Sequence, residues 1–449
     1  MASATPSPPA ARPAKRLLLL LMLLPLLLPP LQAKLQWLPE PALGGAFDMA
    51  PHPTFSWDEL RTNNFQTGLE KYLEDRIGFR SFLIRSRNQL LYSAFGVTQA
   101  EGIKKGKNGV LFMPNYIRAY LGQDRMEEAD LRFRVQRLKA LQQDLARRGI
   151  SFLFVLAPNK ARFEPENLPP HPAPRPGSIY EVFVRNMHAD SVHLLDCVAL
   201  FERWKRTTPY PLFPRGGTHW SGYGATLVAD TLLRRLEALG GYQLPSYREV
   251  GRPSIVRSSD SLRWTDNDLN VVLNLLLRQE TTPLAYRHLQ FDEPRPGQTR
   301  PSLLLVGDSF GWGLMQFAPY IQKEFSPDSR VWFYNRTVYL PDSTSHPTGE
   351  EVSALDLRQQ LESRRTVVII MTEHNLAQNE FGFTDQVYRL YHPLTDADRA
   401  AIEQRAAALA KAATWEDQAK DPDLTQHLRD QAQQQYEREQ MEQLSRRRQ

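Results

Sequence analysis

A serine and a histidine lie in the two segments of this 449-residue chain whose residue types favour nucleophilic catalysis. Ser309 follows an apolar run and Gly307-Asp308, a pattern typical of a buried strand that turns into a helix. Backbone N–H groups at such a turn can hold a developing oxyanion, and the helix dipole favours negative charge there. His219, in the glycine-rich segment 216–225, could supply the base that a serine nucleophile needs.

Each of these residues also has an ordinary interpretation. A serine at this position is often only the N-cap of a helix, and a lone histidine is more often a surface or core residue than a catalytic one. The two segments therefore carry weight only if the fold brings them together.

The elements around these residues predict such a fold. Short apolar runs alternate with amphipathic helices, which predicts a parallel sheet covered by helices on both faces. The predicted strands are 152–155, 192–195, 302–306, 331–334 and 367–371, and the predicted helices are 129–148, 180–189, 224–239, 311–323 and 352–362. Polar residues follow each strand and should gather at one edge of the sheet, where ligands bind in open parallel sheets; they are Lys160, Asp196, Ser309, Asn335, Arg336, Glu373 and Asn375.

Composition narrows the function classes. With 41% apolar and 23% charged residues, the chain has the balance of a globular protein and not that of a disordered, fibrous or polytopic membrane protein. The net charge of +5 includes three basic residues among the first 33, so the remainder has no strong attraction for nucleic acid. The single cysteine excludes a disulfide within the chain, and the ten histidines show no spacing typical of metal ligands. We expect no metal and no cofactor.

The N-terminus has the pattern of an export signal. Arg12, Lys15 and Arg16 precede an apolar run, 17–31, that is short for a membrane-spanning helix. The small residue Ala33 follows, but the cleavage pattern is imperfect, so residues 1–33 are predicted to be a signal peptide or an uncleaved N-terminal anchor. Both alternatives place residues 34–449 outside the cytoplasm.

Changes in composition divide the rest of the chain. Residues 34–100 predict an extended segment followed by a helical region. Residues 101–393 are predicted to form the catalytic domain. It contains a polar insertion at about 240–300 that the pattern does not place in the sheet. Residues 394–449 form a charged tail that we expect to be helical or partly disordered.

Taken together, the histidine and serine segments resemble the SGNH-type serine hydrolase superfamily. They are most similar to its circularly permuted branch, the periplasmic alginate O-acetyltransferases and related exopolysaccharide-modifying proteins, in which the histidine segment precedes the serine segment. Segments 75–80, 106–112, 157–160 and 373–376 resemble further motifs of that branch, with His374 where arginine is common. The resemblance covers about residues 65–375 and implies a three-layer α/β/α fold, circularly permuted, with helical extensions at both ends.

This resemblance implies an acyl-serine mechanism. Ser309 would accept an acetyl group, and His219 would deprotonate the polysaccharide hydroxyl that then takes it. The expected oxyanion or substrate contacts are Gly311, Asn335, Arg336, Asn375 and Lys160. Arg336 and Lys160 are equally typical of surface ion pairs.

One departure from the branch concerns the acid of the triad. Relatives often carry an aspartate two residues before the histidine, and this chain has Gly217 there. Asp196 and Glu373, at neighbouring strand ends, are the candidates for orienting His219. A triad without its acid loses much of its rate but keeps binding.

Three functions remain open on this basis. The first is an O-acetyltransferase of an exported or cell-surface polysaccharide, located in the periplasm and free or anchored to the inner membrane. Since cytoplasmic acetyl-CoA does not reach that compartment, the resemblance implies a membrane-bound O-acyltransferase as acetyl donor. The second is a carbohydrate acetylesterase, which uses water on the same acyl-enzyme. The third is a non-catalytic polysaccharide-binding scaffold, which the missing aspartate favours and the intact Ser309 and His219 oppose.

Overall fold

A computed structural model describes residues 11–45, 48–277, 279–344, 346–414 and 421–448. The first ten residues of the predicted signal and residues 415–420 of the predicted tail lie outside the described residues. The chain divides into two compact units. One comprises residues up to Lys105 together with 268–280, and the other comprises 106–267 and 281–449.

The first unit is mainly helical. Its elements are α1 (Ala11–Leu35), α2 (Trp57–Arg61), α3 (Asn64–Glu74), α4 (Arg80–Phe95), β1 (Lys104–Lys105) and α11 (Asp268–Val272). The predicted helical region from residue 58 to 95 is confirmed, with breaks at Asn63 and Phe79, which both adopt left-handed backbone angles. No single described helix has the length and hydropathy of a membrane span, whereas Lys15–Leu24 and Leu26–Leu35, bent by 43°, reach them as a pair.

The second unit contains the central sheet. Its strands are β2 (Leu111–Phe112), β3 (Ser151–Ala157), β4 (Leu194–Asp196), β5 (Tyr247–Glu249), β6 (Ser254–Val256), β7 (Leu284–Tyr286), β8 (Leu289–Phe291), β9 (Leu303–Gly307), β10 (Arg330–Phe333), β11 (Thr337–Tyr339) and β12 (Thr366–Thr372). Six of these strands form the sheet in the order β11-β10-β9-β12-β3-β4, and all but β11 are parallel to their neighbours. The five predicted strands are confirmed, and β11 is an addition at the edge.

Helices cover both faces of this sheet. The helices of the second unit are α5 (Pro114–Tyr120), α6 (Glu128–Ala146), α7 (Lys160–Phe163), α8 (Ile179–Ala189), α9 (Cys197–Trp204), α10 (Gly222–Gly240), α12 (Gly313–Gln316), α13 (Tyr320–Glu324), α14 (Leu357–Glu362), α15 (Phe383–Tyr391) and, in the tail, α16 (Asp396–Ala412) and α17 (Leu424–Arg448). Alternate residues of the central strand β12 enter two separate cores, with Val368 and Ile370 on one face and Val367 and Ile369 on the other. This double burial explains the uninterrupted apolar runs and confirms the three-layer α/β/α fold.

Two helix predictions differ in detail from the structure. The helix expected over 311–323 is split into a 3₁₀ turn at Ser309–Trp312 and the short helices α12 and α13, because Pro319 has no N–H to continue the ladder. The helix expected over 352–362 begins as a 3₁₀ turn, Val352–Ala354, and continues only as α14.

The insertion and the tail both have regular structure. Within 240–300, two small antiparallel sheets form, one from β5 and β8 and one from β6 and β7. In the tail, α16 and α17 pack together, and α17 docks on α6 through ion pairs of Glu437 with Arg137 and of Arg438 with Asp130.

Candidate active site

Ser309 lies at the carboxyl end of β9, on a turn held by its neighbours. The residue before the turn must be glycine, since a Cβ on Gly307 would lie 2.2 Å from Ile370 Cγ2 and 2.4 Å from its carbonyl oxygen. The carboxylate of Asp308 then accepts hydrogen bonds from the N–H of Thr372 at 2.7 Å and from Asn375 Nδ2 at 2.8 Å. Asp308 therefore ties the serine turn to the end of β12.

His219 contacts this serine directly. Its Nε2 lies 2.7 Å from Ser309 Oγ, although the two residues are 90 positions apart. The imidazole packs against Phe310 at 4.9 Å between ring centroids, and the fully buried Trp220 packs against the same ring at 5.0 Å. Gly313 permits this packing, because a Cβ there would lie 2.3 Å from Trp220 Nε1. The aromatic contacts fix the imidazole over the serine turn.

Lys160 holds the loop that leads to His219. Its buried ammonium donates to the carbonyl oxygens of Pro214 at 2.6 Å, Arg215 at 3.0 Å and Gly217 at 2.7 Å. The expectation that Lys160 binds substrate is therefore wrong, because the side chain is fully buried and its donors are used within the fold. The sequence pattern placed this lysine correctly after a strand. It could not show that the ammonium is buried, because the three carbonyl groups that accept its hydrogen bonds come from a distant segment.

The two acids predicted to orient His219 are engaged elsewhere. Asp196 caps α9 through the N–H of Ala199 at 3.1 Å and accepts a hydrogen bond from the Tyr180 hydroxyl at 3.0 Å. Glu373 is buried against Arg162, whose Nε lies 2.9 Å from the carboxylate. Burial raises the pKa of Glu373, while Arg162 opposes the rise. Both predictions are corrected, since lying at the same sheet edge did not bring either carboxylate to His219.

The space beside Gly217 is filled by the insertion. A Cβ on Gly217 would lie 2.5 Å from the carbonyl oxygen of Thr265 and 3.0 Å from the carbonyl carbon of Asp266. The buried Asp266 carboxylate accepts hydrogen bonds from the Tyr286 hydroxyl at 2.7 Å and from the N–H of Gly222, at the start of α10, at 3.3 Å. A side chain at 217 is thus excluded, and an insertion carboxylate braces the helix that follows His219. The sequence shows an acidic segment here but no spacing that links it to the histidine.

Three of the predicted oxyanion donors already make hydrogen bonds within the fold. The N–H of Gly311 donates to the Asp308 carbonyl at 3.1 Å, and Asn375 Nδ2 donates to the Asp308 carboxylate. Asn335 Nδ2 donates to the Phe381 carbonyl and to Gln386 Oε1, both at 3.1 Å. Arg336 is exposed and makes no side-chain hydrogen bond or ion pair with the described residues, so it stays a candidate for substrate contact.

Tyr334 is a site residue that the sequence analysis missed. It directly follows β10 and has a left-handed φ of 50°, and the next residue, Asn335, has a φ of 51°. Non-glycine residues rarely adopt this conformation, and such strain is concentrated at functional sites. Burial and the charge of Asp308 raise the pKa of Tyr334, while the neighbouring side chains of Ser309 and Asn375 oppose that rise. A neutral phenol therefore lies beside the serine.

His374 is the second residue whose importance the sequence did not show. It follows β12, and its ring lies 4.1 Å from the ring of Tyr116, between centroids. Burial lowers the pKa of His374 to about 4. The charge of Asp308 opposes this shift, whereas the charge of His219 adds to it. The site thus contains two imidazoles. Across the described part of the chain, no group of three or more His, Cys, Asp or Glu side chains is arranged to hold a metal ion.

Comparison with known proteins agrees with this geometry. Residues 103–337 match the family described as the SGNH hydrolase-like domain of the acetyltransferase AlgX. The probable alginate O-acetylase AlgJ of Pseudomonas aeruginosa is 28% identical over 153 residues, which are 34% of this chain and 37% of that protein. The chain therefore spans just over a third of the length of this curated relative.

Solved structures of low identity were also found. The O-acetyltransferase domain of Pseudomonas putida AlgJ is 15% identical with a TM-score of 0.43, and the match covers 64% of this chain and 99% of that one. Pseudomonas aeruginosa AlgX is 15% identical with a TM-score of 0.40, over 63% and 67% of the two chains. Bacillus cereus PatB1 with a sulfonyl adduct is 13% identical with a TM-score of 0.39, over 63% and 98%.

The family match is the decisive comparison. The matched segment, residues 103–337, contains both His219 and Ser309 and covers just over half of the chain. The protein therefore belongs to the family of SGNH hydrolase-like acetyltransferase domains of the AlgX type.

Proposed function

We propose that this chain is an O-acetyltransferase that moves an acetyl group through Ser309 to hydroxyl groups of an exported or cell-surface polysaccharide. The observation that carries the proposal is the 2.7 Å contact between His219 Nε2 and Ser309 Oγ at the carboxyl edge of the sheet. A serine paired with an imidazole at this distance is the arrangement that acyl transfer requires.

The chemistry proceeds in two steps. First, Ser309 Oγ attacks the acetyl carbonyl carbon, its proton moves to His219 Nε2, and the carbonyl electron pair moves onto the oxygen. The tetrahedral intermediate collapses to acetyl-serine, and the leaving group departs with the proton from His219. Second, His219 takes the proton of a sugar hydroxyl, whose oxygen attacks acetyl-serine, and the proton returns to Ser309.

The family and the N-terminal leader segment support a choice of acetyl acceptor and acetyl donor. Relatives named as alginate O-acetylase and O-acetyltransferase support a polysaccharide acceptor, and the exposed Arg336 beside β10 is available to contact it. The basic and apolar N-terminal segment supports export to the periplasm, with or without anchoring at the inner membrane. Because an exported enzyme lacks cytoplasmic acetyl-CoA, we propose a membrane-bound O-acyltransferase as donor.

The test offers p-nitrophenyl acetate to residues 34–449, with and without acetyl-free alginate oligosaccharides. We expect transfer of acetyl to the sugar and loss of this activity in Ser309→Ala, but not in the control Ser363→Ala, which changes an exposed serine at the end of α14. Hydrolysis without transfer would identify an acetylesterase instead. Activity that survives in Ser309→Ala would contradict both.

A further inference from the structure

An oxyanion formed on Ser309 needs hydrogen-bond donors that are free to meet it. Two neighbouring backbone N–H groups are not free, because Phe310 donates to the Asp308 carboxylate at 3.1 Å and Gly311 donates to the Asp308 carbonyl at 3.1 Å. Asn335 Nδ2 makes two hydrogen bonds, and Asn375 Nδ2 uses one of its two N–H groups on the Asp308 carboxylate. Few donors therefore remain for the oxyanion beside the Ser309 N–H and the second N–H of Asn375, which leaves a need for a further side-chain donor.

His374 meets that need. It lies at the end of β12, the strand that pairs with β9 below Ser309, and its charge environment includes both Asp308 and His219. Its Nδ1 is buried without a hydrogen-bond partner among the described residues. The residue as a whole is partly exposed, and no described group bonds its Nε2. One face of the ring is occupied by Tyr116, at 4.1 Å between centroids.

The position of its proton can be inferred. Since burial lowers the pKa of His374 to about 4, the imidazole is neutral near pH 7 and carries one proton. Buried N–H groups without an acceptor are rarer in proteins than buried acceptors without a donor. We therefore assign the proton to Nε2, which leaves Nδ1 as the buried lone pair and Nε2–H as a donor.

We propose that His374 is a catalytic residue whose Nε2–H donates a hydrogen bond to the acetyl carbonyl oxygen as that oxygen becomes negative on Ser309. This assignment rests on the acyl-serine mechanism proposed above. A neutral donor suits the site, because a second positive charge beside His219 would oppose the proton that His219 must accept from Ser309. The Ser309 N–H and the Tyr334 hydroxyl would complete the set of donors.

A matched pair of variants tests the donor. His374→Phe keeps a ring against Tyr116 but removes the N–H, whereas the amide of His374→Gln restores a donor near the position of Nε2. With p-nitrophenyl acetate and rapid quenching, we expect acetylation of Ser309 to slow by about 10²- to 10³-fold in His374→Phe. We expect His374→Gln to recover most of the rate. Equal rates in the two variants would overturn the assignment.

The outcomes separate this inference from the proposed function. If Ser309 of the wild-type protein never becomes acetylated, the acyl-serine mechanism and the His374 assignment fail together. If wild-type protein is acetylated and His374→Phe reacts equally fast, only the His374 assignment fails.

A structural measurement avoids any effect of substitution on folding. In a crystal structure of wild-type protein sulfonylated on Ser309 by methanesulfonyl fluoride, the sulfonyl oxygens stand in for the oxyanion. We expect one of them within about 3.2 Å of His374 Nε2. Sulfonyl oxygens that all turn away from His374 would overturn the inference.

Discussion

Glu324 gives this fold a dependence on pH that can be worked out from its surroundings. The carboxyl group lies in α13, fully buried, and neither oxygen has a hydrogen-bond partner among the described residues. Burial raises the pKa of Glu324 from 4.5 to about 8, although Arg300 opposes the rise. Because the folded protein holds this proton more tightly than the unfolded chain, the group contributes fully to stability below pH 4.5. That contribution is lost as the pH rises to about 8.

The gap between these two pKa values corresponds to at most about 5 kcal/mol of unfolding free energy. Glu324→Gln keeps the size of the side chain and removes its ionisation. We expect the variant to be more stable than wild type by about 2 to 4 kcal/mol near pH 8.5, and nearly equal to it near pH 5.

Urea unfolding followed by tryptophan fluorescence at the two pH values measures this difference. The control is Glu350→Gln, which changes an exposed carboxylate and should shift neither value. A Glu324→Gln effect of the same size at both pH values would refute the reasoning, and so would a variant that is less stable than wild type near pH 8.5.

Three further substitutions test how the surrounding residues position Ser309 and His219. Gly313→Ala places a methyl group against Trp220, 2.3 Å from its Nε1. It should lower the acetylation rate of Ser309 at least ~10-fold by displacing the neighbouring imidazole, and a normal rate would contradict the packing argument. Asp308→Asn weakens the hydrogen bonds from Thr372 N–H and Asn375 and should lower the unfolding free energy by about 2 kcal/mol in urea; an unchanged midpoint would contradict that role. Lys160→Met leaves three loop carbonyls without their donor and should reduce kcat with little change in KM, whereas a rise in KM alone would indicate substrate binding instead.

The sheet could be predicted from the sequence because its central strands β3, β9 and β12 are buried on both faces and read as continuous apolar runs. Ser309 and His219 could be singled out for local reasons as well. Gly307 allows the close approach to Ile370 that places Ser309 at the turn, and the glycine-rich loop marks His219.

The partners of these residues could not be predicted, because they depend on contacts between distant segments. Lys160 resembles an ordinary exposed cation in the sequence, yet it is buried by carbonyl groups 54 to 57 positions away. Glu373 lies at the expected strand end, but Arg162, which is 211 positions away, holds it. No period or motif encodes which of several acids at a sheet edge faces a given imidazole. For the same reason, the sequence could not predict that the insertion fills the space beside Gly217.

The most direct test of the central claim locates the acetyl group itself. Protein quenched during reaction with p-nitrophenyl acetate is digested, and its peptides are identified by mass spectrometry. Our account predicts one acetyl group on Ser309 in the wild-type protein, none in Ser309→Ala, and strongly delayed labelling in His219→Asn. Acetyl groups on other residues only, or labelling of Ser309 at the wild-type rate in His219→Asn, would contradict it.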